Sequence, residues 1–287
     1  MKYKYIEENS SAYCISKMCH SFKVSSSGYY SWLKRPICKT KKNNEILLFL
    51  IKQSFKKSRN LYGSPRITAD LKYSGIISGE NRVAKLMKSN NIRSLIKKKF
   101  RSHKSKIQGI APVPNLLTQD SIIDSINKAW VTDITYITTG EGWLYLASVM
   151  DLYSRKIIGW HISNRMTVDL VITALLRAIG RRKSTKGIIH HSDKGSQYTS
   201  HAYQNLLKEN GFISSMCGKG NCFDNAVIES FHHSLKTELV YLENFETREE
   251  ARRKLFDYIE VFYNTERIHS SLENMSPVVF ENMKKAA

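Results

Sequence analysis

With 287 residues, 41% of them hydrophobic, the chain has material for two packed domains and is not a largely disordered protein. Its net charge of +20 is unevenly spread: residues 1–110 carry 25 Lys/Arg against 5 Asp/Glu, whereas residues 111–287 carry 20 of each. Segregation of this kind implies a polyanionic partner, and nucleic acid is favoured over an anionic membrane surface because the basic residues lie among helical patterns without a broad apolar stripe.

The N-terminus lacks the apolar core of a signal peptide, and the longest aliphatic run, Ile46 to Ile51, is too short to span a bilayer, so a soluble, cytoplasmic protein is expected. Five cysteines (Cys14, Cys19, Cys38, Cys217, Cys222) with no CxxC pair argue against a disulfide framework. Cys14, Cys19 and His20 have the wrong spacing for a zinc site, and reduced, partly buried thiols are the better reading.

The first third reads as short helices. "SAYCISKMCHSF" is followed by "KVSSSGYYSWLKRP", where Ser25 or Ser26 can cap a helix that Pro36 stops. "NNEILLFLIKQSFKKS" has helical length and period, "SPRITADLKYSG" opens with Pro at an allowed first-turn position, and "SGENRVAKLMKSNN" follows. Short basic helices joined by tight turns are compatible with helix-turn-helix modules and with a plain helical bundle. Gly109, Pro112 and Pro114 mark a linker over about 101–125.

Beyond it the period changes. "AWVTDITYIT", "GWLYLASVMD" and "RKIIGWHIS" are β-rich runs with short connections, which predicts an antiparallel meander. Helix "TVDLVITALLRAIGRR", strand "GIIHHSD", helix "SHAYQNLLKENG", strand "FISSM" and a long helix from about Asp224 to Leu239 complete a mixed sheet flanked by helices. The expected division is a basic helical region over 1–100, the linker 101–125, an α/β core over 126–240 and a helical extension over 241–287.

Three carboxylates stand out on this map. Asp133 lies within the first strand, where a lone carboxylate is costly unless it has a function. Asp193 closes "GIIHHSD" at a strand end, and Glu229 lies on the long helix with 35 residues between them. Converging carboxylates repel one another, and divalent cations relieve the repulsion. Oxygen-only ligands suit Mg²⁺ or Mn²⁺, and a pair of such ions can serve phosphodiester cleavage. His190 and His191 precede Asp193 in a strand, where alternation sends one to each face; neither is needed as a metal ligand. Asp151 and Asp224 read as a turn contact and a helix N-cap. Asn225, His233 and Lys236 share a helix face with Glu229, and Lys236 is placed to hold a DNA phosphate. Further candidates for DNA contact are Lys194, Arg66 and the run Lys97, Lys98 and Lys99.

"WVTDITYI", "VMDLYSRKIIGW", "HHSDKGSQYTS" and "NCFDNAVIESFHHSLKTEL" together resemble the catalytic core of bacterial transposases of the insertion-sequence-three family, in the downstream-frame (OrfB-type) protein. "VSSSGYYSWLKR" and "YGSPRITADL" resemble its N-terminal region, and "YNTERIHSSLENMSP" its C-terminal signature. The resemblance implies a ribonuclease H-like, integrase-type core behind a basic all-α, helix-turn-helix-like region, with Asp133, Asp193 and Glu229 binding the catalytic metals. It also implies 3′-end cleavage and strand transfer through a circular intermediate, self-association on DNA in a bacterial cell, and an upstream-frame (OrfA-type) partner or fusion. A structure-directed nuclease on the same fold and a non-catalytic DNA-binding regulator remain the alternatives. A pre-cut DNA end bearing a free 3′-OH separates joining from cutting and from binding alone.

Overall fold

The computed structural model describes residues 2–35, 38–96, 114–117, 123–217 and 225–286. The chain forms two compact units, Met1–Ile51 and Lys52–Ala287. In the first, α1 (Lys2–Glu8), α2 (Ile15–Ser21) and α3 (Ser26–Leu33) enclose Ile6, Met18, Cys19 and Tyr29. Ser25 caps α3, its Oγ accepting from Gly28 N at 2.9 Å. The segment "KYKYIEE", unmarked in the sequence pattern, is α1: it buries Ile6 and lays Tyr3 against Tyr29 and Trp32. Cys14, Cys19, Cys38 and Cys217 are not engaged in disulfides.

The division between the units falls within α4 (Lys39–Lys57). After α5 (Ser64–Tyr73) and α6 (Glu80–Ser89) come β1 (Ala129–Thr139), β2 (Gly142–Asp151) and β3 (Ile157–Ser163), and then α7 (Val168–Arg182). Next are β4 (Ile189–Ser192), the single turn α8 (Ser196–Thr199), α9 (His201–Glu209), β5 (Ile213–Met216) and α10 (Ala226–Leu235). The five strands form one mixed sheet in the order β3-β2-β1-β4-β5, with β1–β2 and β2–β3 antiparallel and β1–β4 and β4–β5 parallel. The meander and the mixed sheet expected from the pattern are thus both present, and most of the expected linker lies outside the described residues.

The core on one sheet face joins Trp130, Val149 and Ile158 to Leu170, Ala174 and Ala178 of α7 and to Tyr203 and Leu207 of α9. Helix α7 lies very close to β3. A Cβ added at Gly159 would stand 2.3 Å from the Ala174 carbonyl oxygen, so only glycine fits there.

The chain beyond residue 240 is built into this unit. Helix α10 runs on as a π-helical turn, Lys236–Val240, and α11 (Arg248–Phe256) runs into a second π-helical stretch, Asp257–Glu266. Asn264 on that stretch accepts from Ile157 N and donates to Ile157 O, both at 3.0 Å, covering the edge of β3 at its first residue. Glu281 of α12 (Pro277–Ala286) pairs with Arg182, Lys156 and Ser154. Asp151, buried, accepts from the backbone N–H groups of Asn127, Tyr153 and Ser154, the turn contact expected of it.

The other anchor is Glu238, in the π-helical turn. Arg267 donates to both of its oxygens, at 2.7 and 2.8 Å, Tyr258 adds a bond at 2.9 Å, and Arg66 approaches to 3.3 Å. The side chains of Glu238 and Arg267 are 3% and 5% exposed. Removing one partner strands the other charge in the interior, so Arg267→Met should cost about 3–5 kcal/mol in denaturant unfolding. Burial pushes the Glu238 carboxyl up, but the bonds and charge of Arg267, with Arg66 and Tyr258, outweigh it and hold the group below its ordinary 4.5. Its contribution is full above about pH 4.5 and fades as pH falls through the lower folded value. Glu238→Gln should flatten that part of the acid-unfolding profile.

Candidate active site

The parallel register of β1 and β4 pairs Ala129 with Ile189 and Val131 with His191. Carried on by two residues, it brings Asp133 level with Asp193. Strand β4 ends at Ser192, so Asp193 stands at its carboxyl end, beside the point where β1 goes on with only β2 as its neighbour. Open α/β sheets hold their ligands outside the carboxyl ends of parallel strands, where the strand order reverses. Asp193 is partly buried, and its Oδ1 accepts from Gly195 N at 2.9 Å. Burial raises its pKa, the Gly195 bond opposes that, and the negative charge of Asp133 raises it further.

Two carboxylates held so that one perturbs the other form an oxygen-donor pair suited to a hard divalent cation. Glu229 lies in the first turn of α10 and is exposed. Among the described residues, no three His, Cys, Asp or Glu side chains are gathered closely enough to hold a metal ion. Register and charge relate Asp193 to Asp133, and Glu229 is carried by α10.

Lys236, where α10 passes into its π-helical turn, places Nζ 4.5 Å from the ring centroid of Tyr136. Tyr136 is braced edge-to-face by Trp143 across the β1–β2 ribbon. Half-burial lowers the Lys236 pKa, while the charge of Asp133 acts in the opposite sense. The lysine thus stands over the Tyr136 ring, in the electrostatic field of Asp133.

The other candidate residues are dispersed. Asn225 stands at the start of α10 as a buried residue whose side-chain Oδ1 has no hydrogen-bond partner among the described residues. His233 is exposed, and Lys194 is half-exposed beside Asp193. Arg66 lies over the Tyr62 ring and reaches Glu238. Lys97, Lys98 and Lys99 lie outside the described residues, as does Asp224.

The two histidines before Asp193 point to opposite faces of the sheet. His190 is buried against Tyr203 and Phe212, its Nε2 3.1 Å from the Tyr203 hydroxyl, and burial pushes its pKa down to about 3. His191 lies 2.9 Å from Ser215 Oγ and 3.2 Å from Cys217 Sγ. A third histidine, which helical spacing did not single out, is the one beside an aspartate. His232 Nδ1 is 3.2 Å from Asp133 Oδ2, and its Nε2 is 3.4 Å from Ser148 Oγ. Its sequence signal is its place three residues after Glu229, a spacing that shares a helix face as well as four does.

An integrase core domain family matches residues 124–222, a second integrase core domain family matches residues 229–284, and an HTH-like domain family matches residues 42–100. The chain is 40% identical to the transposase InsF of insertion sequence IS3A from Escherichia coli K12 over the full length of both proteins. It is 41% identical to a 31 kDa protein of insertion element IS600 from Shigella sonnei, over 92% of this chain and 97% of that one. Among solved structures it is similar to the catalytic core domain of BIV integrase, at 20% identity and a TM-score of 0.42 over 56% of this chain and 97% of that one. It is also similar to the HTLV-2 integrase catalytic core domain in complex with magnesium, at 16% identity and a TM-score of 0.41 over 54% of this chain and 96% of that one. An integrase-type core, an HTH-like region and full-length identity to an insertion-sequence transposase converge, and the chain belongs to the IS3 family of DNA transposases.

Proposed function

We propose that the chain cuts the 3′ ends of its insertion sequence and joins them to a second phosphodiester, with Asp133, Asp193 and Glu229 as ligands of divalent cations, two Mg²⁺ or Mn²⁺ ions. The observation that carries this reading is the parallel pairing of β1 and β4, which stops two residues short of Asp133 and Asp193, with the charge of Asp133 felt by Asp193. When bound, such cations would stabilise the charge developing on the phosphate and favour ionisation of the attacking oxygen. The Gly195 N–H fixes one oxygen of Asp193, which limits rotation of that carboxylate. Glu229, carried in the first turn of α10, would be the third ligand of the set. Lys236, in the field of Asp133, would supply a positive charge for a phosphate of the element's end, a point-charge contact that needs no bidentate geometry. Both steps are in-line phosphoryl transfers, so one site serves each without a covalent enzyme intermediate.

The proposed DNA path includes Asn225, His233, Lys194 and Arg66 with the lysine run 97–99. Its substrates are the element's terminal repeats and target DNA. Self-association on that DNA, with an upstream-frame OrfA-type protein or fusion, would assemble two ends; no sustained heptad pattern in this chain supplies a coiled coil.

Asp133→Asn, Asp193→Asn and Glu229→Gln should each reduce strand joining by at least about 1,000-fold while DNA affinity changes little, because the amide keeps shape and loses charge. The measurement is joining of a pre-cut end with a free 3′-OH, beside a mobility-shift assay. Near-normal joining by any one of the three would remove that residue from the metal set; cutting without joining by the wild-type chain would support a nuclease instead.

Lys236→Ala should lower both steps by about 10- to 100-fold, less than loss of a carboxylate, since positioning is lost and the metal chemistry is kept. Crosslinking from residue 236 to the cleaved phosphate should succeed in the wild-type complex. For the basic run, replacing Lys97, Lys98 and Lys99 by Gln should shallow the plot of log affinity against log salt by up to about 0.9 for each phosphate no longer neutralised. An unchanged slope would exclude these three from the DNA path.

A further inference from the structure

We infer that His232 is a positioning residue for Asp133, holding one carboxylate oxygen so that the other stays aimed at the cation; this rests on the proposed function. Its side chain is 7% exposed and bridges two strands. One nitrogen lies against Asp133 of β1, and the other lies against Ser148, the residue directly opposite Asp133 on β2.

The protonation pattern follows from the partners. An ionised carboxylate only accepts, so Nδ1 carries the hydrogen and donates to Asp133 Oδ2. In the neutral ring Nε2 is then an acceptor, and the Ser148 hydroxyl donates to it. Ser148 is fully buried, and its carbonyl oxygen accepts from Thr132 Oγ1 at 2.9 Å, so the far end of the relay is fixed by the β1–β2 ladder. The ring therefore has a rigid support on one side and a partly exposed carboxylate on the other. Holding a ligand carboxylate by a hydrogen bond is how residues behind a metal site set its geometry, and their loss typically costs about 10- to 100-fold in metal affinity.

The same ring ties α10 to β1. On that helix Ile228, Phe231 and Leu235 pack apolar surface, which sets distance but tolerates sliding. His232 adds a directional contact from the helix that carries Glu229 three residues earlier. One side chain thus fixes the rotamer of Asp133 and the setting of the helix that brings the proposed third ligand.

Two amides separate this role from simple packing. In His232→Asn the amide nitrogen takes the place of Nδ1 and can still donate to Asp133. In His232→Gln it takes the place of Nε2 and reaches Ser148 instead. The measurements on the full chain are Mn²⁺ affinity from the electron-paramagnetic-resonance signal of free Mn²⁺, thermal stability, and strand joining. His232→Asn should stay within about threefold of wild type in Mn²⁺ affinity, whereas His232→Gln and His232→Leu should weaken it about 10-fold or more. If Gln matches or exceeds Asn, or if Leu binds Mn²⁺ as wild type does, the assignment is overturned. If all three variants lose Mn²⁺ affinity in proportion to lost thermal stability, His232 is a packing residue and the inference fails. Strand joining by the wild-type chain tests the function itself, and the Asn–Gln difference in Mn²⁺ affinity tests His232 apart from it.

Discussion

The buried pair of Glu238 and Arg267 is the constraint on which the rest of the second unit depends. Two charges removed from water are tolerated only when their hydrogen-bonding capacity is filled, and here Arg267, Tyr258 and Arg66 surround one carboxylate. Glu238 lies in the π-helical turn that continues α10, two residues beyond Lys236 and nine beyond Glu229. Fixing it fixes the helix on which Glu229, His232 and Lys236 are carried. Arg267 in turn belongs to the segment that follows the second π-helical stretch, so the last part of the chain sets α10 in place.

That dependence explains why the C-terminal segment cannot be treated as an appendage. Asn264 caps the edge of β3 at Ile157, Trp160 Nε1 donates to Glu260 at 2.7 Å, and Glu281 neutralises Arg182 at the end of α7. Each of these bonds comes from residues beyond 256 and lands on the β2–β3–α7 side of the sheet. An exposed sheet edge invites pairing with another chain, and here one asparagine side chain blocks part of it. Three residues of the motif "YNTERIHSSL" have such roles: Asn264 serves the edge, Arg267 serves Glu238, and Tyr263 packs between Phe231 and His269.

The strands and the pair of aspartates are legible in the sequence because their signals are local. Alternation and β-branched residues mark β1 to β3, and a carboxylate inside an apolar run marks Asp133. What is not legible depends on partners distant in sequence. His232 acquires meaning only when β1, 99 residues away, packs beneath it, and its neighbour His233 is the exposed one. The π-helical turns leave no mark in a period taken as 3.6, since each shifts the helix face without altering composition. The first helix escapes the pattern for another reason: its apolar face is largely tyrosine, which a pattern built on aliphatic residues does not count.

The charge division along the chain changes meaning once the unit is folded. Arg59 pairs with Asp257 and lies over the Phe262 ring, Arg66 reaches Glu238, and the Tyr62 hydroxyl accepts from Ile268 N at 2.9 Å. These basic residues belong to the positively charged stretch of the sequence, and their partners belong to the electrically balanced one. Part of the apparent excess is thus counter-charge for the catalytic unit, and those side chains release fewer counterions on meeting DNA than a count of lysines and arginines implies. The acids that balance residues 111–287 on paper are partly consumed in the same way. The stretch that reads as a separate basic module therefore also has a structural function, since Arg59 and Arg66 hold the π-helical stretches in place.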